Sequence, residues 1–182
     1  MAMPYTETTQ TSSKWQDKPT VIKGDYGEEI VRKILEKKGW IPYTPHYFVE
    51  KGHAIDIIAV KDKIKFRMVE CKSKAKRTFY PDTGFGLKNY YEYKELKEKY
   101  KDLMELWILF IDEGSGDIYG NTLEKLELET TIAHKGNAYT YPRVENNIIY
   151  FPLANMETIA LIDNSDKDYL IRHSKRNYEY TN

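Results

Sequence analysis

The sequence predicts an α/β protein, and three features of its first 111 residues predict this class. Apolar residues between Ile30 and Leu35 recur at intervals of three and four, which is the period of a helix with one buried face. Two apolar runs at 54–60 and 64–72 are separated by a short turn and are expected to form a hairpin. The continuously apolar run at 106–111 is typical of a strand in the middle of a sheet.

Composition favours a folded domain and restricts the partners that it can bind. The 182 residues are 41% hydrophobic and 31% charged, which fits a folded chain with a sizeable core. The 28 basic and 28 acidic residues balance, so nucleic-acid binding would need local clusters of Lys and Arg. The single cysteine, Cys71, excludes an internal disulfide. A single cysteine also fits a reducing cytoplasm, which is the expected location. No apolar run reaches the roughly 18 residues of a membrane span, so no membrane partner is expected.

Three parts are expected along the chain. Residues 1–20 are polar and predict a flexible tail, residues 21–113 form the core, and residues 114–182 extend the same domain. The first helix is predicted at 25–38 because Gly39 follows the last periodic residue.

Proline, glycine and periodicity predict the other elements. Pro42 and Pro45 confine their segment to an irregular or edge strand, and Pro81 and Gly84 indicate a loop. The resulting predictions are an edge strand at 41–49, a loop at 78–86, helices at 87–103, 121–131, 155–161 and 167–175, and a strand at 147–152.

Charged residues on the predicted hairpin are the first candidates for a functional site. Side chains alternate along a strand, so Glu70 and Lys72 project from the same face. A hairpin that turns at 61–62 brings Asp56, near the start of one strand, beside Glu70 at the end of the other. Carboxylate oxygens are the ligands that Mg²⁺ prefers, and an adjacent ammonium can stabilise a phosphate undergoing attack.

A third acid is expected from the first helix, where two neighbours compete. Glu28 shares a helix face with Val31 and Leu35, whereas Glu29 lies on the polar face. Glu28 is therefore the better candidate for the metal site.

These residues resemble the PD-(D/E)XK nuclease superfamily, and within it the small Holliday-junction resolvases and related phage or restriction-type endonucleases. The resemblance covers about residues 24–111, and Ile55 stands where the motif has its proline. The segments that carry it are Gly27-Glu28, Gly39-Trp40, Ile55-Asp56-Ile57 and Val69-Glu70-Cys71-Lys72.

The resemblance implies a fold and a set of roles. The fold would be a restriction-endonuclease-like α-β-β-β-α-β core, with a mixed sheet flanked by helices and followed by the C-terminal extension. Asp56 and Glu70 would hold Mg²⁺ or Mn²⁺, Lys72 would be the catalytic lysine, the backbone carbonyl of Cys71 would join the metal ligands, and Glu28 would act directly or through water.

Basic residues beyond the motif are candidates for binding the substrate. Lys74, Lys76 and Arg77 could grip phosphates that flank the cut. Family members often carry a Gln or basic residue on the next helix, and Lys88 and Lys94 both remain open for that role. An aromatic set could stack on unpaired bases, although core packing is the commoner use of such residues; its members are Tyr80, Phe85, Tyr90, Tyr91 and Tyr93.

The leading hypothesis is a Mg²⁺-dependent endonuclease that hydrolyses phosphodiester bonds in DNA with a metal-activated water. The alternatives are a nuclease for RNA or single strands, and an inactive nucleic-acid-binding module of the same fold. Resolvases and many restriction enzymes act as symmetric dimers, so a homodimer is also expected, with the segments 41–48 and 139–151 as candidate surfaces.

Overall fold

A six-stranded mixed sheet forms the centre of the structure, a computed structural model that describes residues 18–45, 55–62 and 65–174. Most of the predicted tail, the second half of the predicted edge strand, and residues 175–182 lie outside the described residues. The last residues of the predicted tail are instead helical, because Pro19 occupies the first turn of a helix, where its missing N–H has no helical partner to lose.

The elements are as follows in chain order. The helices are α1 (Pro19–Lys37), α2 (Leu87–Tyr100), α3 (Leu123–Leu126) and α4 (Asn164–Arg172). The strands are β1 (Ile41–Tyr43), β2 (Ile57–Lys61), β3 (Lys65–Ser73), β4 (Asp82–Gly86), β5 (Glu105–Ile111), β6 (Asp117–Thr122), β7 (Thr130–His134), β8 (Asn137–Tyr141), β9 (Arg143–Glu145), β10 (Ile148–Pro152) and β11 (Glu157–Leu161).

The strand order of the central sheet is β1-β2-β3-β5-β6-β11. The strands β2 and β3 form the predicted antiparallel hairpin, whereas β3 and β5 run parallel and are connected through β4 and α2. The predicted α/β class and the mixed sheet flanked by helices are therefore confirmed, with the order α1-β1-β2-β3-α2-β5 interrupted only by β4.

Two hydrophobic clusters lie on opposite faces of this sheet, as alternation along β3 requires. On one face, Val69 and Cys71 of β3 pack with Val31 and Leu35 of α1. On the other face, Met68 packs with Tyr93 of α2 and with residues of β4 and β10. Glu70 and Lys72 share the second face with Met68.

Gly27 allows α1 to approach β3 closely. A Cβ atom at this position would overlap the Ser73 hydroxyl and lie 3.2 Å from the Ile111 side chain. A Cβ atom at Gly24, one turn earlier in the same helix, would meet no other atom within 4 Å, so the close approach is confined to Gly27. The absence of a side chain at Gly27 therefore determines how near the neighbouring Glu28 comes to the ends of the central strands.

Apart from the β7–β8 hairpin, the strands after residue 113 belong to sheets that also contain strands of the core. The strands β6 and β11 complete one side of the central sheet, and β10 pairs with both β4 and β9 in a second, three-stranded sheet. The hairpin β7–β8 forms a two-stranded sheet of its own.

Several predicted elements are wrong in this half of the chain. The helix predicted at 121–131 is reduced to the four residues of α3, between β6 and β7. The helix predicted at 155–161 is the edge strand β11, and part of the loop predicted at 78–86 is β4. In each case pairing with a neighbouring strand overrides the local pattern. The strand predicted at 147–152 is present as β10, and the last helix begins three residues earlier than predicted.

Among the described residues, no helix combines the length and the apolar character needed to cross a membrane.

Candidate active site

The β2–β3 register brings Asp56 next to Glu70. Pairing begins with Ile57 opposite Val69, so Asp56, one residue before β2, lies beside the position of Glu70. The Cys71 backbone N–H donates a hydrogen bond of 2.8 Å to Asp56 Oδ2, which fixes the carboxylate against the end of β3. Two acids separated by thirteen residues in the sequence thus share one site.

Glu70 is a buried acid, and only 4% of it is exposed. Its Oε1 accepts a hydrogen bond of 2.6 Å from the Tyr93 hydroxyl and a very short one from the Lys72 ammonium. Its Oε2 is buried and has no hydrogen-bond partner within the described part of the chain. Burial raises the pKa of Glu70 to about 7, and Lys72 opposes the shift while Asp56 adds to it.

Asp56 is held from two directions. Burial raises the pKa of its carboxyl, and the Cys71 N–H and the Lys72 charge oppose that rise. Its backbone carbonyl accepts a 3.4 Å hydrogen bond from Arg32 of α1. This hydrogen bond links the residue before β2 to α1, the helix that also carries Glu28.

Glu28 approaches the pair from the α1 layer. Its pKa rises to about 8 because the carboxyl is desolvated, and because Asp56, Asp25 and Glu70 add negative charge; Arg32 opposes the rise. No group of three or more His, Cys, Asp or Glu side chains with a geometry that could hold a metal occurs in residues 18–45, 55–62 and 65–174. Glu28 is therefore within electrostatic range of the two acids without forming a three-carboxylate cluster with them.

Lys72 lies on the same face as Glu70, as alternation predicts. About 24% of its side chain is exposed, so the ammonium can reach a bound molecule. Its Nζ lies 5.7 Å from the centroid of the Tyr93 ring, within the range of a cation–π contact. Cys71, between the two, is buried, and burial raises the pKa of its thiol, so the side chain stays neutral and only its backbone faces the acids.

The three basic residues predicted to bind phosphates in the loop each form a hydrogen bond or an ion pair within the protein. Lys74 Nζ donates a 2.7 Å hydrogen bond to the Gly84 carbonyl. Lys76 forms a 3.4 Å ion pair with Asp112, yet nearly half of its side chain remains exposed. Arg77 is more enclosed, with an ion pair to Asp82 at 3.5 Å and a second one to Glu145.

Neither basic candidate on α2 contacts the acids. Lys88 pairs with Glu92 at 3.8 Å and is almost fully exposed, and Lys94 pairs with Glu127 at 3.7 Å. The residue of α2 that reaches the site is Tyr93.

Tyr93 and Arg32 are the site residues that sequence reasoning missed. Tyr93 shares the buried face of α2 with Leu96 and Tyr100, at spacings of three and seven, and that periodicity could have identified it among the tyrosines of the helix. Nothing in the sequence distinguishes Arg32 from the other basic residues of α1.

Two cavities, of about 380 and 610 Å³, lie at the other end of β3 and β5. Between them, the Arg67 guanidinium is stacked between the rings of Trp40 and Trp107, 4.3 and 4.2 Å from their centroids. Glu105 accepts hydrogen bonds from both Arg67 and Trp107. These cavities are separate from the carboxylates.

Comparison with known proteins gives distant similarities. No family model and no curated protein matches the chain. Among solved structures, the chain is similar to Hjc, a Holliday junction resolvase from the archaeal hyperthermophile Archaeoglobus fulgidus, with a TM-score of 0.48 and 10% identity over 72% of this chain and 90% of that one. It is also similar to a protein of unknown function from Silicibacter pomeroyi, with a TM-score of 0.32 and 15% identity over 86% of this chain and 83% of the other. At this distance the activity has to be argued from the site.

Proposed function

We propose that the protein is a metal-dependent nuclease that hydrolyses phosphodiester bonds in DNA. The observation that carries this proposal is the pairing of Asp56 with the buried Glu70, beside an ammonium on the same strand face. Keeping two carboxylates together in a desolvated position is unfavourable without a compensating cation. Lys72 compensates one charge, which leaves a net negative site.

The residues present fit a hard divalent cation. Glu70 Oε2 is a buried acceptor without a partner in the described structure, and Asp56 supplies a second carboxylate at the same strand end. Oxygen donors of this kind suit Mg²⁺ or Mn²⁺. We assign Asp56, Glu70 and the backbone carbonyl of Cys71 as the groups that would hold the ion, with Glu28 acting through water. A bound ion would supply charge neutralisation at the scissile phosphate and a water of lowered pKa.

The chain's own residues position these groups. The Lys72 ammonium is placed to contact a phosphate oxygen and to stabilise the charge that develops during attack. The Tyr93 hydroxyl holds Glu70 Oε1, and the Cys71 N–H holds Asp56 Oδ2. Lys76 is partly exposed and Lys88 almost fully exposed, and both remain the proposed contacts for flanking phosphates. To bind a phosphate, three other basic residues would have to give up a partner within the protein; these are Lys74, Arg77 and Lys94.

Cleavage of a substrate panel tests the proposal. Purified protein is incubated with Mg²⁺ or Mn²⁺ and single-stranded, duplex, flapped and four-way-junction DNA, and with RNA of matching sequence. We expect DNA cleavage that stops with EDTA, and loss of cleavage in Asp56→Asn and Lys72→Ala. The exposed residues Asp102 and Lys65 provide matched controls, Asp102→Asn and Lys65→Ala, which should cut at the wild-type rate.

Two other outcomes would change the assignment. Cleavage of RNA or single strands alone would identify the alternative substrate with the same site chemistry. Nucleic-acid binding without cleavage, and without affinity for Mn²⁺, would support the inactive binding module, for which the absence of a three-carboxylate group in the described residues is the favouring observation.

A homodimer remains part of the proposal because paired sites would cut both strands. Ile41 and Tyr43 of the edge strand β1 are 58% and 55% exposed and offer a surface for a second copy. In the other candidate segment, Tyr141, Ile149 and Phe151 are buried in the protein's own core. Light scattering coupled to size exclusion measures the mass directly.

A further inference from the structure

An aromatic and basic surface next to the candidate active site takes no part in holding its acids. We call it the loop–hairpin face. It consists of Phe79 and Tyr80 from the loop between β3 and β4, Lys135 and Tyr139 from the β7–β8 hairpin, and Arg143 of β9.

The loop of this face follows the strand of the acids directly along the chain. The loop begins directly after β3, so Phe79 follows Lys72 by seven residues. The loop is followed by β4, and the ring of Phe85 in β4 lies 5.4 Å from the ring of Tyr93, which contacts Glu70. A nucleic-acid strand that crosses Lys72 would therefore meet the loop within a few nucleotides.

Phe79 is the most exposed aromatic residue of the face. It is 70% exposed, and the ammonium of Lys135 lies 5.0 Å from its ring centroid. Lys135 is itself exposed and forms no ion pair with any residue in the described part of the chain. A large apolar ring is thus presented to solvent beside an uncompensated positive charge.

The Tyr80 ring is surrounded by two guanidinium groups and a second aromatic ring. The guanidinium of Arg77 lies 4.1 Å from the centroid of its ring, and that of Arg143 lies 5.0 Å away. Tyr139 meets the same ring edge-on at 5.2 Å. Arg77 also forms an ion pair with the fully buried Asp82, so the Tyr80 ring is held by contacts that extend into the protein interior.

The two segments that build the face concentrate positive charge in a chain whose net charge is zero. Residues 72–81 contain four basic residues, residues 130–144 contain two, and neither segment contains an acid. Other segments supply the acids that pair with them: Asp82 and Asp112 are buried, and Glu145, which pairs with Arg77 and Arg143, is 43% exposed. Lys135, which has no acidic partner in the described part of the chain, is therefore the charge of this face that is available to a polyanion.

Stacked rings beside cations are the means by which proteins bind unpaired nucleotides, whose base faces are accessible, whereas a duplex hides those faces. We propose that the loop–hairpin face binds unpaired nucleotides next to the bond that is cut, with the Phe79 ring stacked on a base and Lys135 beside a phosphate. The inference rests on the proposed nuclease function and names the part of the substrate that lies beside the site.

Binding measured in EDTA separates this inference from catalysis. Fluorescence anisotropy is followed with a labelled single strand, a blunt duplex, a duplex with a single-stranded overhang, and a single-stranded RNA. Phe79→Ala should weaken single-strand and overhang binding about tenfold, as expected for the loss of one stacked base, and change blunt-duplex binding by less than about twofold. Lys135→Ala should reduce the salt dependence of single-strand binding by about 0.7 in the log–log slope. Comparison of the DNA and RNA strands shows which sugar is preferred.

Matched controls come from the same chain. Phe66 is an aromatic residue that is 38% exposed near the start of β3, away from the acids, and Lys99 lies 5.2 Å from the Tyr100 ring, so Phe66→Ala and Lys99→Ala remove comparable groups elsewhere. Both should bind like the wild type, and a 2-aminopurine strand should lose its fluorescence quenching only with Phe79→Ala. Equal affinity of Phe79→Ala and wild type for single strands, an equal loss for blunt duplex, or no binding of any strand overturns the inference. The proposed nuclease function fails instead if the wild type cuts none of the panel with Mn²⁺ present.

Discussion

The Tyr93 hydroxyl donates a 2.6 Å hydrogen bond to Glu70 Oε1, and the face of the same ring lies 5.7 Å from the Lys72 ammonium. One side chain of α2 therefore contacts both the acid and the base of β3. Burial and the Glu70 charge raise the pKa of Tyr93, so its hydroxyl stays protonated and remains a donor. The position of α2 on the sheet thus sets the orientation of the two groups proposed for catalysis.

Tyr93→Phe should slow cleavage roughly tenfold or more, because a hydrogen bond to a charged group contributes about 1.5–3 kcal/mol. The hydrogen bond also lowers the pKa of Glu70, so its removal should move the acid limb of the pH–rate profile to higher pH. Tyr90→Phe is the control, since Tyr90 donates to Glu127 away from the acids. An unchanged pH profile in Tyr93→Phe would refute a positioning role for the hydroxyl.

Glu70→Gln should stabilise the metal-free protein at neutral and alkaline pH. The unfolded carboxyl ionises near 4.5, while the folded one keeps its proton up to about 7, so the wild type loses stability as pH rises through this interval. The substituted protein lacks that loss, and its advantage should grow by on the order of 2–3 kcal/mol between pH 4 and 8. Urea unfolding midpoints in EDTA at several pH values measure the difference, with the exposed Glu92→Gln as control. Parallel curves for Glu70→Gln and wild type would contradict the prediction.

Gly27→Ala should destabilise the protein relative to Gly24→Ala by about 1–3 kcal/mol, because a methyl group at Gly27 is forced against Ser73 and Ile111. Both positions are inside α1, so the gain in helix propensity is the same for the two substitutions. Gly24→Ala, which meets no neighbouring atom, should be stabilising by roughly 0.5–1 kcal/mol. Thermal unfolding of both variants measures the difference in stability. Equal unfolding midpoints would show that α1 can move away from β3 without loss of stability, which contradicts the prediction.

Mn²⁺ should bind one site with an affinity that rises between pH 6 and 8. The carboxyls must lose their protons to bind a cation, and burial holds the pKa values of Glu70 and Glu28 at about 7 and 8. Calorimetric titration in two buffers of different ionisation enthalpy counts the protons released. Asp56→Asn should abolish binding, whereas Lys72→Ala should retain it. Retention by Asp56→Asn would place the ion elsewhere.

Strand alternation and hairpin geometry were sufficient to predict that Asp56, Glu70 and Lys72 lie together; their role stays a prediction. Asp56 and Glu70 meet because a short turn fixes which residues of two strands are neighbours, and Lys72 follows from the two-residue period. The identity of the inward acid of α1 followed from the same kind of argument applied to the helical period. Strand alternation, hairpin register and helical periodicity depend only on residues that are close in sequence, so they can be applied without knowing the fold.

Strand pairing between segments that are distant in sequence could not be predicted from the sequence. The spacing of Leu123 and Leu126 is helical, yet the strand directly before them, β6, pairs with β11, which begins only at Glu157. Residues 157–161 have no strong period of their own and become a strand because the edge of β6 is available for pairing. The same holds for Tyr93, whose partner is on another element.

The stacking of Arg67 between Trp40 and Trp107 has a practical consequence for spectroscopy. Trp40 precedes β1 and Trp107 is the third residue of β5, and both rings contact Arg67 near the starts of β3 and β5, whereas Glu70 and Lys72 lie further along β3. Their emission should change when the sheet melts, and should be nearly silent when a colourless ion or an oligonucleotide occupies the opposite end. In a Trp15→Phe variant, which removes the third tryptophan of the chain, intrinsic fluorescence should therefore report folding and be insensitive to occupancy of the candidate site.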